Sequence, residues 1–141
     1  MITTKGDYEL DDDRTRVDTD VVWDFMSTEA YWARWRERSD VEAQLAAAWR
    51  ILGVYEKDSG RMVGYARAIS DGVSIAYLAD VFVLDAARGN GLGKALVHEM
   101  VENGAGARMR WMLHTNDAHG LYAQFGFGVP DGTYLERPSR R

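Results

Sequence analysis

Cysteine is absent from this 141-residue chain. That excludes a disulfide framework, a thiolate nucleophile and a zinc–thiolate site, and it fits a reducing compartment. Proline is scarce, with two residues, and no Pro-rich linker, low-complexity tract or internal repeat divides the chain. No apolar run approaches the roughly 18 residues of a membrane span. The first seven residues hold no apolar core of signal-peptide length, so the expectation is a cytoplasmic protein with no membrane partner. Positive charge is also short: 17 Lys and Arg stand against 22 Asp and Glu, a net charge of -5. Such a chain offers no strong positive field to hold nucleic acid. An acidic surface would suit a cationic partner, although a charge of this size is also ordinary solubility.

What is present is a soluble composition, 46% apolar and 28% charged, at a length that suits one domain over residues 1–141. Tyr8-Glu9-Leu10 reads as a short strand. Asp18 or Thr19 can cap a helix carrying Val22, Trp23, Phe25 and Met26. A second helical region over residues 27–50 is expected to break near Ser39, whose spacing to Glu42 is that of a capping box. Residues 51–55, 61–69 and 73–84 then read as three strands joined by hairpin-length turns, an antiparallel meander. A helix from the end of the glycine loop to about Asn103, a strand at 110–114, a short helix at 117–124 and a last strand region at 127–129 complete the order. This arrangement predicts an α/β fold with a mixed, mostly antiparallel central sheet flanked by helices.

Between the third strand of the meander and the following helix lies Arg88-Gly89-Asn90-Gly91-Leu92-Gly93-Lys94. Glycines without Cβ let backbone N–H groups approach an anion closely, and the helix that follows points its positive end at the same place. The implied ligand is a phosphate or pyrophosphate. The spacing fails the Walker A pattern, because Arg88 stands at its first glycine and Ala95 at its hydroxyl. It also fails the dinucleotide fingerprint, whose third glycine would fall on Lys94 or Leu96. A plain glycine-rich turn capping a helix is the alternative.

Arg88-x-x-Gly91-x-Gly93 resembles motif A of the GNAT superfamily of N-acetyltransferases, and Ala118-His119-Gly120-Leu121-Tyr122 through Gly126-Phe127 resembles its motif B. Together the two motifs carry the resemblance over residues 51–129, while the N-terminal fifty match only in the order of their elements. The resemblance implies acetyl-coenzyme A as acyl donor and an amine acceptor, small molecule or peptide. It also implies helices over the acceptor site, no metal, and a homodimer as the family's habit. It assigns the coenzyme pyrophosphate to Arg88, Gly91 and Gly93, with Gly89, Asn90, Leu92 and Lys94 donating backbone or charge nearby. Val81, Phe82 and Val83 would pair with the pantetheine arm, the Val83 amide polarising the thioester carbonyl. Tyr122 would protonate the departing thiolate, a role that needs a phenol kept neutral by desolvation. Many members have Asn where Thr115 stands, so Thr115 or Asn116 is expected at the coenzyme.

The base that removes the amine's proton is open. Asp80 on a central strand is a candidate, since a carboxylate there is costly unless paired or useful; pairing with an arginine such as Arg67 is the other reading. His114 and His119 lack the companions of a metal site. Trp23, Tyr31, Trp32 and Trp35 are denser than a core requires, although Trp23 reads as core. Arg34, Arg36 and Arg38 alternate and read as solvated surface. A coenzyme A-binding sensor with little turnover is the runner-up, and another nucleotide-binding α/β protein the third reading.

Overall fold

The computed structural model describes residues 1–141. Its sheet has six strands in the order β1-β2-β3-β4-β5-β6. They are β1 Ile2–Lys5, β2 Tyr8–Asp11, β3 Arg50–Glu56, β4 Met62–Ser70, β5 Ile75–Val83 and β6 Arg110–Met112. The first five pair antiparallel, and β6 lies parallel beside β5. The mixed, mostly antiparallel α/β fold expected from the sequence is present. Hairpin chemistry explains the meander: in the β4–β5 turn the Asp71 carboxylate accepts from the amides of Val73, Ser74 and Ile75.

Helix α1, Thr19–Thr28, begins at Asp18, whose carboxylate accepts from the amides of Asp20 and Val21. Helix α2, Arg38–Ala47, begins two residues earlier than the Ser39–Glu42 spacing suggests, with Glu37 as its N-cap. Its start is held by the Asp40 carboxylate, which accepts from the Glu37 amide at 2.7 Å. Between the two helices the chain makes a single tight turn at Tyr31–Ala33 in place of continuous helix. Helices α3, Leu92–Val101, and α4, His119–Ala123, follow the glycine loop and β6.

The sheet is buried on both faces. On one, Leu92, Leu96 and Met100 of α3 pack against Leu52, Val54 and Leu78. On the other, Val22, Phe25 and Met26 of α1 pack against Ile51, Tyr65 and Phe82, the Phe25 and Phe82 rings stacked at 4.0 Å. Arg50 fastens the far end of α3 by donating to the carbonyls of Glu99 and Asn103, each at 2.8 Å. No helix is long and apolar enough to cross a membrane.

Two features of β5 position the site. Its ladder with β6 covers only Ile75, Ala76 and Tyr77, so beyond Tyr77 that edge is open. Its ladder with β4 pairs Ala79 with Arg67 but Phe82 with Tyr65, one extra residue on β5. The bulge falls at Asp80, the one non-glycine residue with positive φ, at 55°. Across it the strand changes faces: Leu78 belongs to the α3 side, Phe82 to the α1 side, and Val81 and Val83 turn toward α3.

Two expectations are corrected. An additional strand, β1, pairs with β2 at the sheet edge. Residues 127–129 form no strand; Pro130 next to them has no N–H to give a ladder. The tail returns instead toward the end of β6, where Glu136 meets His114.

Candidate active site

The glycine loop follows β5 through a turn at Asp85–Ala87. Gly89 and Gly91 have φ of 85° and 72°, in the left-handed region where a side chain is strained. Nothing lies within 4 Å of where a Cβ would sit on Gly89 or Gly93, so this backbone is open to a close-approaching ligand. Gly91 caps α3 and no side chain accepts from the helix's first N–H groups, which are thereby available to an anion. Arg88 is exposed; it donates to the Val83 carbonyl at 3.1 Å and pairs with Asp85 at 3.2 Å. The Asn90 amide braces the loop through the Ala87 carbonyl at 2.8 Å. Leu92 is buried in the core, and Lys94 is exposed on the first turn of the helix. The loop therefore has the chemistry of a pyrophosphate cradle.

A cavity of about 390 Å³ opens beside the unpaired edge of β5. Tyr122, Asp80, Val81, Thr115 and Asn116 line it, together with Tyr31 and Trp32 from the turn between α1 and α2. The Phe82 ring turns into the core while its backbone follows Val81 on the same stretch of β5, and Val83 lies toward the loop, its carbonyl accepting from Arg88. Tyr122 is half-buried with its ring edge-on to Phe127 at 5.8 Å. Burial, then the charge of Asp117, raise its phenol above the ordinary value, so the group is a neutral donor near pH 7. No protein atom hydrogen-bonds its hydroxyl. The Thr115 hydroxyl accepts from the Ala118 amide at 3.0 Å and so starts the turn into α4.

Asp80 is clamped. Arg67 Nε donates to it at 2.6 Å, Arg36 donates through both terminal nitrogens at 2.7 and 3.0 Å, and Trp32 Nε1 donates at 3.2 Å. Burial alone pushes its carboxyl up, but the Arg36 hydrogen bonds and both guanidinium charges outweigh that and hold it below the usual carboxylate range. The pairing with Arg67 offered by the sequence is present, and such a carboxylate is a weak proton acceptor. Arg36 is not the solvated residue its alternation suggests. Its side chain is 8% exposed against Asp80, because residues 31–37 are a turn and not a helix, so the face-by-face argument has no purchase there. Trp23 packs on the α1-side core as expected, while Trp35 is exposed under the Arg141 guanidinium at 4.1 Å.

Sequence reading missed one group outright. His114, on the cavity wall, takes the Tyr77 hydroxyl at Nδ1 and meets Glu136 at 2.7 Å through Nε2. Tyr77 comes from β5, His114 from the end of β6 and Glu136 from the tail, so no local spacing announces the set. His119 is exposed on α4.

A profile of the acetyltransferase (GNAT) domain matches residues 48–129. A crystal structure from Xanthomonas campestris pv. campestris, described as a "putative acetyltransferase belonging to the gnat family", is 32% identical with a TM-score of 0.83. The match covers 94% of this chain and 93% of that one. A Gibberella zeae protein named "Putative acetyltransferase" is 29% identical, covering 91% of this chain and 82% of its own. A GNAT family acetyltransferase structure from Streptococcus pneumoniae, 22% identical, shares the fold over all of both chains with a TM-score of 0.69. With motif A on the loop before α3 and motif B on α4, the chain belongs to the GNAT acetyltransferase family.

Proposed function

We propose that this chain transfers the acetyl group of acetyl-coenzyme A directly to a primary amine, with Tyr122 as general acid. The observation that carries this reading is Tyr122 itself: a neutral phenol with no protein partner, on the wall of a cavity that opens along the unpaired edge of β5. The loop at 88–93 would hold the pyrophosphate, and the free edge at Val81 and Val83 would pair with the pantetheine arm as another strand does. In such a reaction the amine attacks the thioester carbon, the carbonyl oxygen takes up negative charge, and the thiolate leaves as the C–S bond breaks. A backbone N–H of the open edge, that of Val83 by the resemblance, would stabilise the oxyanion, and Tyr122 would give its proton to the sulfur.

The amine must lose a proton, and Asp80 is too firmly held by two guanidiniums to take it readily. In this reading Asp80 orders Arg36, Arg67 and Trp32 around the acceptor. The proton's route is Tyr77 to His114. A neutral His114 that donates Nε2–H to Glu136 accepts at Nδ1, and Tyr77 is its donor. Tyr77 can then take a proton from the amine as it passes its own to His114, the resulting imidazolium facing Glu136. His114→Gln is expected to lower kcat near neutral pH by roughly 10²-fold with coenzyme affinity unchanged; an unaltered kcat removes the relay.

Incubation with acetyl-coenzyme A and a mixed panel of primary amines, followed by mass spectrometry, tests the activity. One amine should gain an acetyl group as free thiol is released. Tight coenzyme binding without turnover on any amine would instead establish a sensor, and tighter binding of ATP or NAD would remove the acetyl-coenzyme A reading altogether.

A further inference from the structure

The cavity beside Tyr122 holds more cationic donors than its own acceptors satisfy. Arg36 and Arg67 are 8% and 7% exposed at their side chains, and both share the single carboxylate of Asp80. Arg36 spends its two terminal nitrogens on that carboxylate, and its Nε is buried without a partner. Arg67 spends only Nε on it, at 2.6 Å. Its two terminal nitrogens have no protein acceptor, and they are not among the atoms sealed from solvent. The remaining charged groups are Asp117, exposed and close enough to act on the Tyr122 phenol, and His114, which is engaged with Tyr77 and Glu136. The lining therefore carries an anion, Asp117, near Tyr122, and an open guanidinium fork at Arg67, one of two cations that share a single carboxylate.

A buried guanidinium with its fork free is a ready receptor for a planar oxyanion, which it binds through two parallel N–H···O bonds. Two buried guanidiniums on one carboxylate leave one positive charge in excess, so a ligand that neutralises it gains more than a surface ion pair would. Building on the acetyl-transfer reading, we propose that the acceptor is an amine that also carries an oxyanion, in the first instance a carboxylate, and that Arg67 is the residue that selects it. The amino end lies toward Tyr122 and Asp117, and the anionic end seats on the Arg67 terminal nitrogens. The aromatic faces of Tyr31, Trp32 and Tyr77 enclose what lies between. Net acidity of the chain, which by itself suits a cationic acceptor, is overruled locally by this pair of arginines.

The test compares matched ligands by calorimetry on the protein saturated with coenzyme A. The probes are N-acetyl amino acids, the products such acceptors would give, against their carboxamides and the matching aminoalkyl phosphonate derivatives. Wild-type protein should bind one oxyanion series at least roughly tenfold more tightly than the carboxamides. Arg67→Gln should abolish that preference while coenzyme A affinity stays the same. Arg36 alone still pairs both oxygens of Asp80 in this variant, so the fold is spared. Preference for the phosphonates over the carboxylates keeps the oxyanion and changes its chemical class. Equal binding of charged and neutral series by wild type overturns the proposal without reliance on any variant. So does failure of every oxyanion to bind, or a preference that survives Arg67→Gln. Failure to bind coenzyme A at the outset is a separate result and falls on the acetyl-transfer reading instead.

Discussion

Tyr122→Phe should lower the rate of thiol release roughly 10²–10⁴-fold at saturating acceptor while coenzyme A binds as before. That range is what a positioned acid contributes when it protonates a leaving group in the transition state. The structure makes the substitution a clean one. The ring's edge-on contact with Phe127 at 5.8 Å and its place against the α3-side core need only carbon atoms. The hydroxyl has no protein partner, so removing it leaves no buried donor or acceptor stranded. The loss should appear in kcat and kcat/KM alike, as for an interaction made only in the transition state. Steady-state kinetics beside calorimetric titration of coenzyme A measures both quantities. A variant with unaltered turnover would leave the thiolate to depart unassisted or to take its proton from water, and Tyr122 would then be a wall residue only.

Asp80→Ala should be the most destabilising single change in the site, by about 3–5 kcal/mol, because it strands two buried guanidiniums at once. For a domain of this length that is a fall in Tm of roughly 10–20 °C. The variant also asks alanine to adopt the left-handed backbone at φ 55°, which aspartate tolerates better. Acid dependence follows from the same carboxyl. Its folded pKa lies below the ordinary aspartate value of about 3.9. Its contribution is therefore complete above about pH 4 and is lost as pH falls through the depressed folded value. Thermal melts across acidic pH should show this slope in the wild type and a shallower one in Asp80→Asn. Matching slopes would mean that the arginines find another counter-charge.

Much of this architecture can be read from local pattern. Three strand-forming runs with short polar turns define the meander, and the loop at 88–93 announces the helix that follows it. Tyr122 is legible because motif B fixes it relative to Gly126-Phe127. The rest of the cavity wall is not legible in the same way. Arg36 is read as surface because helical alternation is applied to residues 31–37, which the backbone turns away from helix. Arg67 is seen only as a partner for Asp80, since no sequence rule tells which nitrogens of a guanidinium stay free. Tyr77, His114 and Glu136 meet across three elements, and the tail that supplies Glu136 has neither period nor regular structure to predict its path. The glycine loop and Tyr122 sit in short motifs; Arg36, Arg67 and the Tyr77–His114–Glu136 set come together only through tertiary juxtaposition.

The bulge at Asp80 has a consequence for how this strand can vary. The two halves of β5 are out of phase, so the hydrophobic parity of residues 75–79 is opposite to that of residues 81–83. Removing residue 80 would close the bulge and restore a uniform strand that still sets Phe82 opposite Tyr65, with Val81 and Val83 toward α3. Drawing residue 80 into the ladder without removing it is the damaging change: the strand beyond it would shift by one residue and turn Phe82 away from Phe25. Position 80 is thus spare to the ladder, and what it adds to the strand is the carboxylate that holds Arg36 and Arg67.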